Sequence, residues 1–196
     1  TTNKGGGACY DFNEFVKIRQ VCDANNLKFH LDGARIWNAL VATNDNPKAY
    51  GKVFHTISVC LSKGLGAPIG SVLLSDKATI HKALRIRKIL GGGMRQVGYL
   101  AAAGIYALDN NIERLSEDHR RAKELGKVLS KLPWVLKVEP VETNILIFSV
   151  HPNVSEGLLL EKLKQKGISI SSMGQGKLRM VTHLDYREVM HTYVLE

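Results

Sequence analysis

The sequence has few cysteines and no long apolar segment. Its three cysteines, Cys9, Cys22 and Cys60, are odd in number and too widely spaced for paired metal ligands or a disulfide framework. We therefore expect reduced thiols, as in a cytoplasmic protein. No apolar run approaches the roughly 20 residues that a bilayer requires, and the first residues lack the apolar core of a signal peptide. Neither a membrane protein nor an exported one is predicted.

Acidic residues are fewer than basic ones, 18 against 27, and the formal net charge is +9. Clustered Lys and Arg can bind nucleic-acid phosphates by releasing counterions. The densest basic stretch, residues 82–88, lies on a helical pattern without interleaved aromatic side chains, and no nucleic-acid motif accompanies it. The charge therefore favours small anionic ligands and solvated helix faces. The histidines lack metal-ligand spacing, so no metal site is predicted.

The order of predicted elements indicates an α/β domain followed by a smaller α+β domain. Asp11 and Glu14 form a candidate capping box for a first helix, and Pro133 ends the last helix of a long helical region. Alternating strands and helices are typical of a mostly parallel sheet, with ligands bound beyond the strands' carboxyl ends. Strands are expected at 28–31, 56–61, 69–74, 135–138, 144–150, 168–171 and 177–182. Helices are expected from Asp11, at 34–40, 77–90, 95–108, 112–132 and 155–166, and at the C-terminus.

Two residues carry the chemical prediction. Asp32 and Lys63 each follow a predicted strand, and the 31 residues between them (63 minus 32) suit a βαβ crossover that brings both to one rim of the sheet. A lysine amine can form a Schiff base with the aldehyde of pyridoxal 5'-phosphate, while a carboxylate holds the pyridine nitrogen protonated. The pair therefore predicts a pyridoxal-phosphate site.

The glycines around Lys63 exclude two other sites. In a phosphate-binding P-loop the lysine follows the glycines, whereas Lys63 precedes Gly64 and Gly66. As a dinucleotide fingerprint, residues 64–70 have one residue too many before the third glycine. A structural interpretation stays open, since a lysine in a glycine-rich turn needs no ligand.

Three motifs together resemble the low-specificity L-threonine aldolases of the aromatic amino acid β-eliminating lyase superfamily. They are HLDGAR at 30–35, SKGLGAPIGS at 62–71 and LGGGMRQ at 90–96. The resemblance extends from the first residues to Asp185. It implies an α/β fold of the aspartate aminotransferase type (fold type I), with part of the large pyridoxal-phosphate-binding domain at 1–109 and a small C-terminal α+β domain at 110–196.

The resemblance also implies roles for individual residues. Lys63 would carry the cofactor, Asp32 would bind its pyridine nitrogen, and Arg95 is a candidate phosphate contact toward a neighbouring subunit. Arg35 and Arg179 would bind the substrate carboxylate, which suits the bidentate geometry of guanidinium. Structural alternatives remain open: Asp32 could cap a helix starting at Ala34, Arg35 could be a surface residue, and Arg179 could end in an ordinary salt bridge.

The implied function is cleavage of L-threonine or L-allo-threonine to glycine and acetaldehyde by a homotetramer with shared active sites. The same residues would also serve β-elimination or transamination. The family pattern has a further N-terminal part, on the order of a hundred residues, that supplies a phosphate loop and a histidine stacked on the cofactor. We expect either a piece of a longer enzyme or a truncated, catalytically silent subunit that associates with full-length partners.

Overall fold

The computed structural model describes residues 3–196, which form two compact units. Tyr10–Arg114 make the first, called here the N-terminal unit. The second, called the C-terminal unit, is Leu115–Glu196 together with the first residues of the chain up to Cys9. Within residues 3–196 no helix combines the length and the apolar character needed to cross a bilayer. The division into large and small domains at residue 109 stays a prediction.

The N-terminal unit contains one sheet and five helices among its described residues. Its elements are α1 (Phe12–Ala24), β1 (His30–Gly33), α2 (Ile36–Thr43), α3 (Pro47–Val53), β2 (Thr56–Cys60), β3 (Ser71–Leu74), α4 (Lys77–Ile89) and α5 (Gly98–Asn110). The strand order is β1-β2-β3. β1 and β2 are parallel, with Asp32 beside Ser58, whereas β2 and β3 are antiparallel.

The antiparallel β3 corrects the expectation of a mostly parallel sheet. Only the loop 61–70 joins β2 to β3, which is too short for the crossover that a parallel neighbour requires. Alternation along β2 buries Ile57 and Val59 against α2 and α3, in a core that also contains Leu40, Tyr50 and Phe54. The intervening residues of β1 and β2 face the opposite side of the sheet.

Three further expectations for this unit need correction. β1 lies two residues later than expected, at His30–Gly33, and α3 was not expected at all. The side chain of Asp11 does cap α1, by accepting from the backbone N–H of Asn13 at 2.8 Å. Glu14, however, accepts a hydrogen bond from Lys17 Nζ at 2.6 Å. Its side chain therefore does not form a capping box with Asp11.

The C-terminal unit packs helices against an antiparallel sheet. Its elements are α6 (Leu115–Leu129), β4 (Val135–Val138), β5 (Ile145–Val150), α7 (Glu156–Gln165), β6 (Ser171–Gly174), β7 (Lys177–Val181) and α8 (Glu188–Leu195). The strand order is β4-β5-β7-β6. Buried Leu125, Leu146, Phe148 and Leu178 form its core. The expected strand at 168–171 was wrong except for Ser171, because β6 takes its register from β7, with Ser171 beside Arg179.

Residues 3–9 lie along β5 and along the residues that directly precede it. Thr143 Oγ1 donates to the carbonyl of Gly7 at 2.8 Å, and the backbone N–H of Cys9 donates to Glu142 Oε2 at 2.8 Å. Gly6 and Gly7 are buried with positive φ angles of 72° and 77°. A Cβ at Gly7 would overlap Thr143 Oγ1 and come within 3.1 Å of Ile145 Cβ. This N-terminal strap, residues 3–9, thus needs glycine for its path.

Candidate functional site

Asp32 and Lys63 lie at the same edge of the N-terminal sheet. Because β1 and β2 are parallel, their carboxyl ends meet at one edge, and neighbouring strands are about 4.8 Å apart. Asp32 is the third residue of β1, and Lys63 follows β2, which ends at Cys60, in the loop to β3. The structure therefore places a carboxylate-bearing and an amine-bearing residue at the sheet edge where α/β folds bind ligands.

The backbone around Lys63 is held in place by hydrogen bonds within the N-terminal unit. The N–H of Gly66 donates to the carbonyl of Lys63 at 2.9 Å, and the N–H of Ala67 donates to the carbonyl of Leu61 at 3.1 Å. Asn111 Nδ2 donates to the carbonyl of the buried Leu65 at 2.7 Å. The Lys63 side chain itself is exposed, and no ion pair to it is found within residues 3–196. A fixed backbone thus presents an accessible amine.

Asp32 is exposed, and its Oδ1 accepts from the backbone N–H of Ala34 at 3.1 Å. This is a local turn and not a helix cap, because α2 begins at Ile36 with Arg35 as its N-cap residue. Asp32 therefore does not cap a helix starting at Ala34, which was the structural alternative for this residue. Since one carboxylate oxygen is enough for the Ala34 contact, the other can face a ligand.

Arg35 and Arg95 belong to the same unit as Lys63. Arg35 is half-buried at the start of α2, directly after the turn that holds Asp32. Arg95 is exposed in the loop between α4 and α5, where Gly91 and Gln96 have positive φ angles of 81° and 50°. Within the described residues 3–196, no hydrogen bond joins Arg95 to Asp32 or Lys63. Its candidate phosphate role thus rests on the motif.

Arg179 lies on β7 of the C-terminal unit, beside Ile147 of β5. Its Nη1 donates to Oδ1 of Asn3 at 2.9 Å, whereas its Nε is buried without a hydrogen-bond partner among residues 3–196. The partner of this guanidinium is therefore a neutral amide and not the carboxylate of an ordinary salt bridge. Asn3 is not among the predicted site residues, because nothing in its local pattern indicates a contact 176 residues away.

A cavity of about 740 Å³ opens beside the same strand. It lies between the end of β7, residues 167–171 and α8, and Arg179, Tyr186 and Met190 are among its lining residues. The Tyr186 hydroxyl lies 3.2 Å from His191 Nδ1, and His191 Nε2 lies 2.7 Å from Glu124 Oε2. The hydrogen bonds from His191 and Arg120 hold the pKa of Glu124 below its ordinary value. Burial raises the pKa of Tyr186.

Metal binding has no candidate residues in the described part of the chain. Within residues 3–196, no group of three or more His, Cys, Asp or Glu side chains is placed to hold a metal ion. The candidate site residues are thus the amine of Lys63, the carboxylate of Asp32 and the guanidinium groups of Arg35, Arg95 and Arg179.

Comparisons with known proteins match this chain to beta-eliminating lyases and threonine aldolases. The family model described as beta-eliminating lyase matches residues 1–152. The chain is 43% identical over 160 residues to the low specificity L-threonine aldolase of Escherichia coli K12, covering 82% of the chain and 46% of that enzyme. It is 36% identical over 186 residues to the low-specificity L-threonine aldolase 1 of Arabidopsis thaliana, covering 93% of the chain and 52% of that enzyme.

A solved structure of Leishmania major threonine aldolase superposes with a TM-score of 0.77 at 17% identity, over 95% of this chain and 55% of that one. The likeness shows that the fold is fold type I, as the three motifs imply. The chain spans about half the length of the relatives it matches.

Proposed function

Because the chain belongs to the beta-eliminating lyase family, we propose that it is part of a pyridoxal-phosphate-dependent L-threonine aldolase. The reaction is cleavage of L-threonine or L-allo-threonine to glycine and acetaldehyde. The observation that carries the proposal is the placement of Asp32 and Lys63 at one edge of a parallel strand pair, each within a motif of that family. Relatives named low-specificity L-threonine aldolase at 36% and 43% identity support the choice of substrate.

The residues present fit pyridoxal phosphate. Enzymes of this family use that cofactor, whose aldehyde and ring nitrogen lie on opposite sides of the pyridine ring. An exposed amine at Lys63 and an exposed carboxylate at Asp32, on adjoining strand ends, suit those two positions. When bound, the cofactor supplies a ring that accepts the electrons of the broken Cα–Cβ bond.

Lys63 and Asp32 have distinct tasks in this proposal. The Lys63 amine would hold the cofactor covalently through its aldehyde carbon. The Asp32 carboxylate accepts the hydrogen bond of the pyridine N–H and so holds a proton on that nitrogen. A hydrogen bond to a charged group of this kind contributes roughly 1.5–3 kcal/mol. Asp32 therefore keeps the ring in the protonated state that withdraws electrons.

Arginines provide the anion contacts. Arg35 and Arg179 bind the substrate carboxylate and orient the amino acid, which is a positioning contribution to the rate. The planar guanidinium makes two parallel hydrogen bonds to a carboxylate, which an ammonium cannot. Arg95 contacts the cofactor phosphate, in the active site of a neighbouring subunit.

We also propose that the protein assembles into a homo-oligomer, a tetramer by the family resemblance. Large apolar side chains are exposed together on α4, α5 and the loop between them. They are Leu84, Ile86, Ile89, Leu90, Met94, Val97, Tyr99, Ile105 and Tyr106. Surfaces of this kind are typical of protein–protein contacts.

β-Elimination is the second candidate reaction, because the matching family model is described as beta-eliminating lyase and the same lysine, aspartate and arginines serve both reactions. The products formed from L-threonine distinguish β-elimination from aldol cleavage. Glycine and acetaldehyde from L-threonine support cleavage of the Cα–Cβ bond. A 2-oxo acid with ammonia supports elimination and contradicts the aldolase proposal.

Lys63→Ala tests the cofactor site. We expect loss of turnover and of the visible absorption of lysine-bound cofactor, with unchanged thermal unfolding, because the side chain is exposed. The matched control is Lys52→Ala, which removes an exposed lysine of α3 in the same unit and should leave both properties intact. Turnover that persists in Lys63→Ala would remove Lys63 from the site.

A further inference from the structure

We propose that Asn3 is a positioning residue that fixes the guanidinium of Arg179, so that the edge formed by Nε and Nη2 receives the substrate carboxylate. This inference rests on the role of Arg179 in the proposed function and adds to it a residue far away in sequence. Its basis is the hydrogen bond from Arg179 Nη1 to Asn3 Oδ1 at 2.9 Å.

The hydrogen bonds of Arg179 decide which edge of the guanidinium is left without a partner among residues 3–196. In the planar guanidinium, the hydrogens of Nε and one of those of Nη2 point to the same side and match the two oxygens of a carboxylate. Asn3 takes a hydrogen of Nη1, which lies outside that edge. Nε is buried and has no partner among residues 3–196. A buried N–H without a partner costs roughly 1–3 kcal/mol, so an incoming acceptor at this edge is favourable.

The N-terminal strap holds Asn3 beside Arg179. Gly6 lies against Ile147, with 3.7 Å from an added Cβ to Ile147 Cδ1, and Ile147 is the residue of β5 paired with Arg179. Thr143 fixes the carbonyl of Gly7 at 2.8 Å. Asn3 thus reaches Arg179 from a backbone that is tied to the neighbouring strand. Side-chain entropy is then lost on folding and not on substrate binding.

The neutral amide also suits the task electrostatically. A carboxylate at the position of Asn3 would pair with the guanidinium and compete with a carboxylate ligand. Asn3 accepts one hydrogen bond and leaves the charge of Arg179 uncompensated, and no ion pair to Arg179 is found within residues 3–196. The arrangement therefore orients the arginine without weakening its attraction for an anion.

The test measures carboxylate binding directly, with acetate as the probe. Nε–H signals of arginine are followed by NMR in this chain during acetate titration, and the signal absent from Arg179→Lys is that of Arg179. We expect Asn3→Ala to weaken acetate binding about threefold to tenfold, as for loss of one typical intramolecular hydrogen bond. Asn3→Asp keeps an acceptor and adds a competing charge, so it should weaken binding at least as much.

Asn153→Ala is the matched control, because it removes an exposed asparagine of the same unit and should leave acetate affinity unchanged. In the cofactor-loaded enzyme, Asn3→Ala should raise KM for threonine by the same factor and leave kcat within about twofold. Equal acetate affinities of Asn3→Ala and Asn153→Ala would overturn the inference. A full-length, cofactor-loaded protein that cleaves no threonine but shows the expected acetate difference overturns the aldolase proposal and supports the role of Asn3.

Discussion

His119 on α6 is a buried histidine, 5% exposed, in the C-terminal unit. Burial, with a smaller contribution from the nearby Lys123 charge, lowers the pKa of His119 to about 4 from its ordinary value of 6.5. The folded protein therefore keeps this imidazole neutral at mildly acidic pH, where the same residue in the unfolded chain is protonated.

Stability of the C-terminal unit should consequently fall as the pH drops from about 6.5 to about 4. In this window the unfolded state binds a proton that the folded state does not, so acid favours unfolding. The expected loss is on the order of 2 kcal/mol after allowance for solvent screening. Urea unfolding at a series of pH values measures it.

His119→Gln should flatten this pH dependence, because the titrating group is gone. His183→Gln is the control, since it removes a histidine whose side chain is 51% exposed in the same unit. It should retain the wild-type slope. An equal slope in wild type and His119→Gln would show that His119 does not cause the acid sensitivity.

Single residues also show what the sequence could and could not predict about the site. The positions of Asp32 and Lys63 at one sheet edge follow from local strand patterns, and the structure places both there. Asn3 could not be found in this way. Its contact with Arg179 depends on the register of β5 and β7 and on the path of the strap, and neither is encoded in nearby residues.

Among the elements, most helices and strands with an apolar pattern of their own were predicted well, whereas α3 and β6 were not. The expected strand at 135–138 is confirmed as β4, and the helix at 77–90 is confirmed as α4 within one residue. α3 is only seven residues long and was missed, although Asn46 caps it and Pro47 starts it, both typical of a helix N-terminus. β6 is an exposed strand whose pairing, not its apolar pattern, determines its position.

The backbone of β2 lies close to Gly33 of β1: a Cβ at Gly33 would lie 2.6 Å from the carbonyl oxygen of Ser58. Gly33→Ala should therefore push the strands apart and destabilise the N-terminal unit by about 1–3 kcal/mol. The same displacement should weaken cofactor binding, because Asp32 is the preceding residue. Urea unfolding and cofactor titration measure the two effects.

Gly51→Ala on α3 is the comparison for Gly33→Ala. No atom lies within 4 Å of the added Cβ at this position. Alanine has fewer backbone conformations than glycine in the unfolded chain, so less entropy is lost on folding. We therefore expect stabilisation of about 0.4–1 kcal/mol. If both substitutions changed stability equally, close strand packing at Gly33 would not be the cause.

At the scale of the whole molecule, the apolar surface of α4 and α5 is the surface that the proposed oligomer would bury. Ile89, Leu90 and Tyr99 are 72%, 79% and 91% exposed. Replacing Ile89 and Leu90 together by Glu should lower the molar mass found by sedimentation, because charged side chains oppose burial in an interface.

Val21→Glu is the control for this pair, since Val21 is an exposed apolar residue of α1, outside the proposed surface. We expect the Val21→Glu variant to form the same oligomer as the wild type. A wild-type protein that sediments as a single chain at every concentration would contradict the proposed oligomer.

The strap also has a consequence for the order in which the chain folds. Its bonds to Glu142 and Thr143 join residues 133 and 136 positions apart. During synthesis Tyr10–Arg114 leave the ribosome before β5 exists, so these residues can begin to fold while residues 3–9 still lack the strand on which they dock. Closing so long a loop is entropically costly and late. We therefore expect the contact between the strap and Arg179 to be among the last tertiary contacts to form.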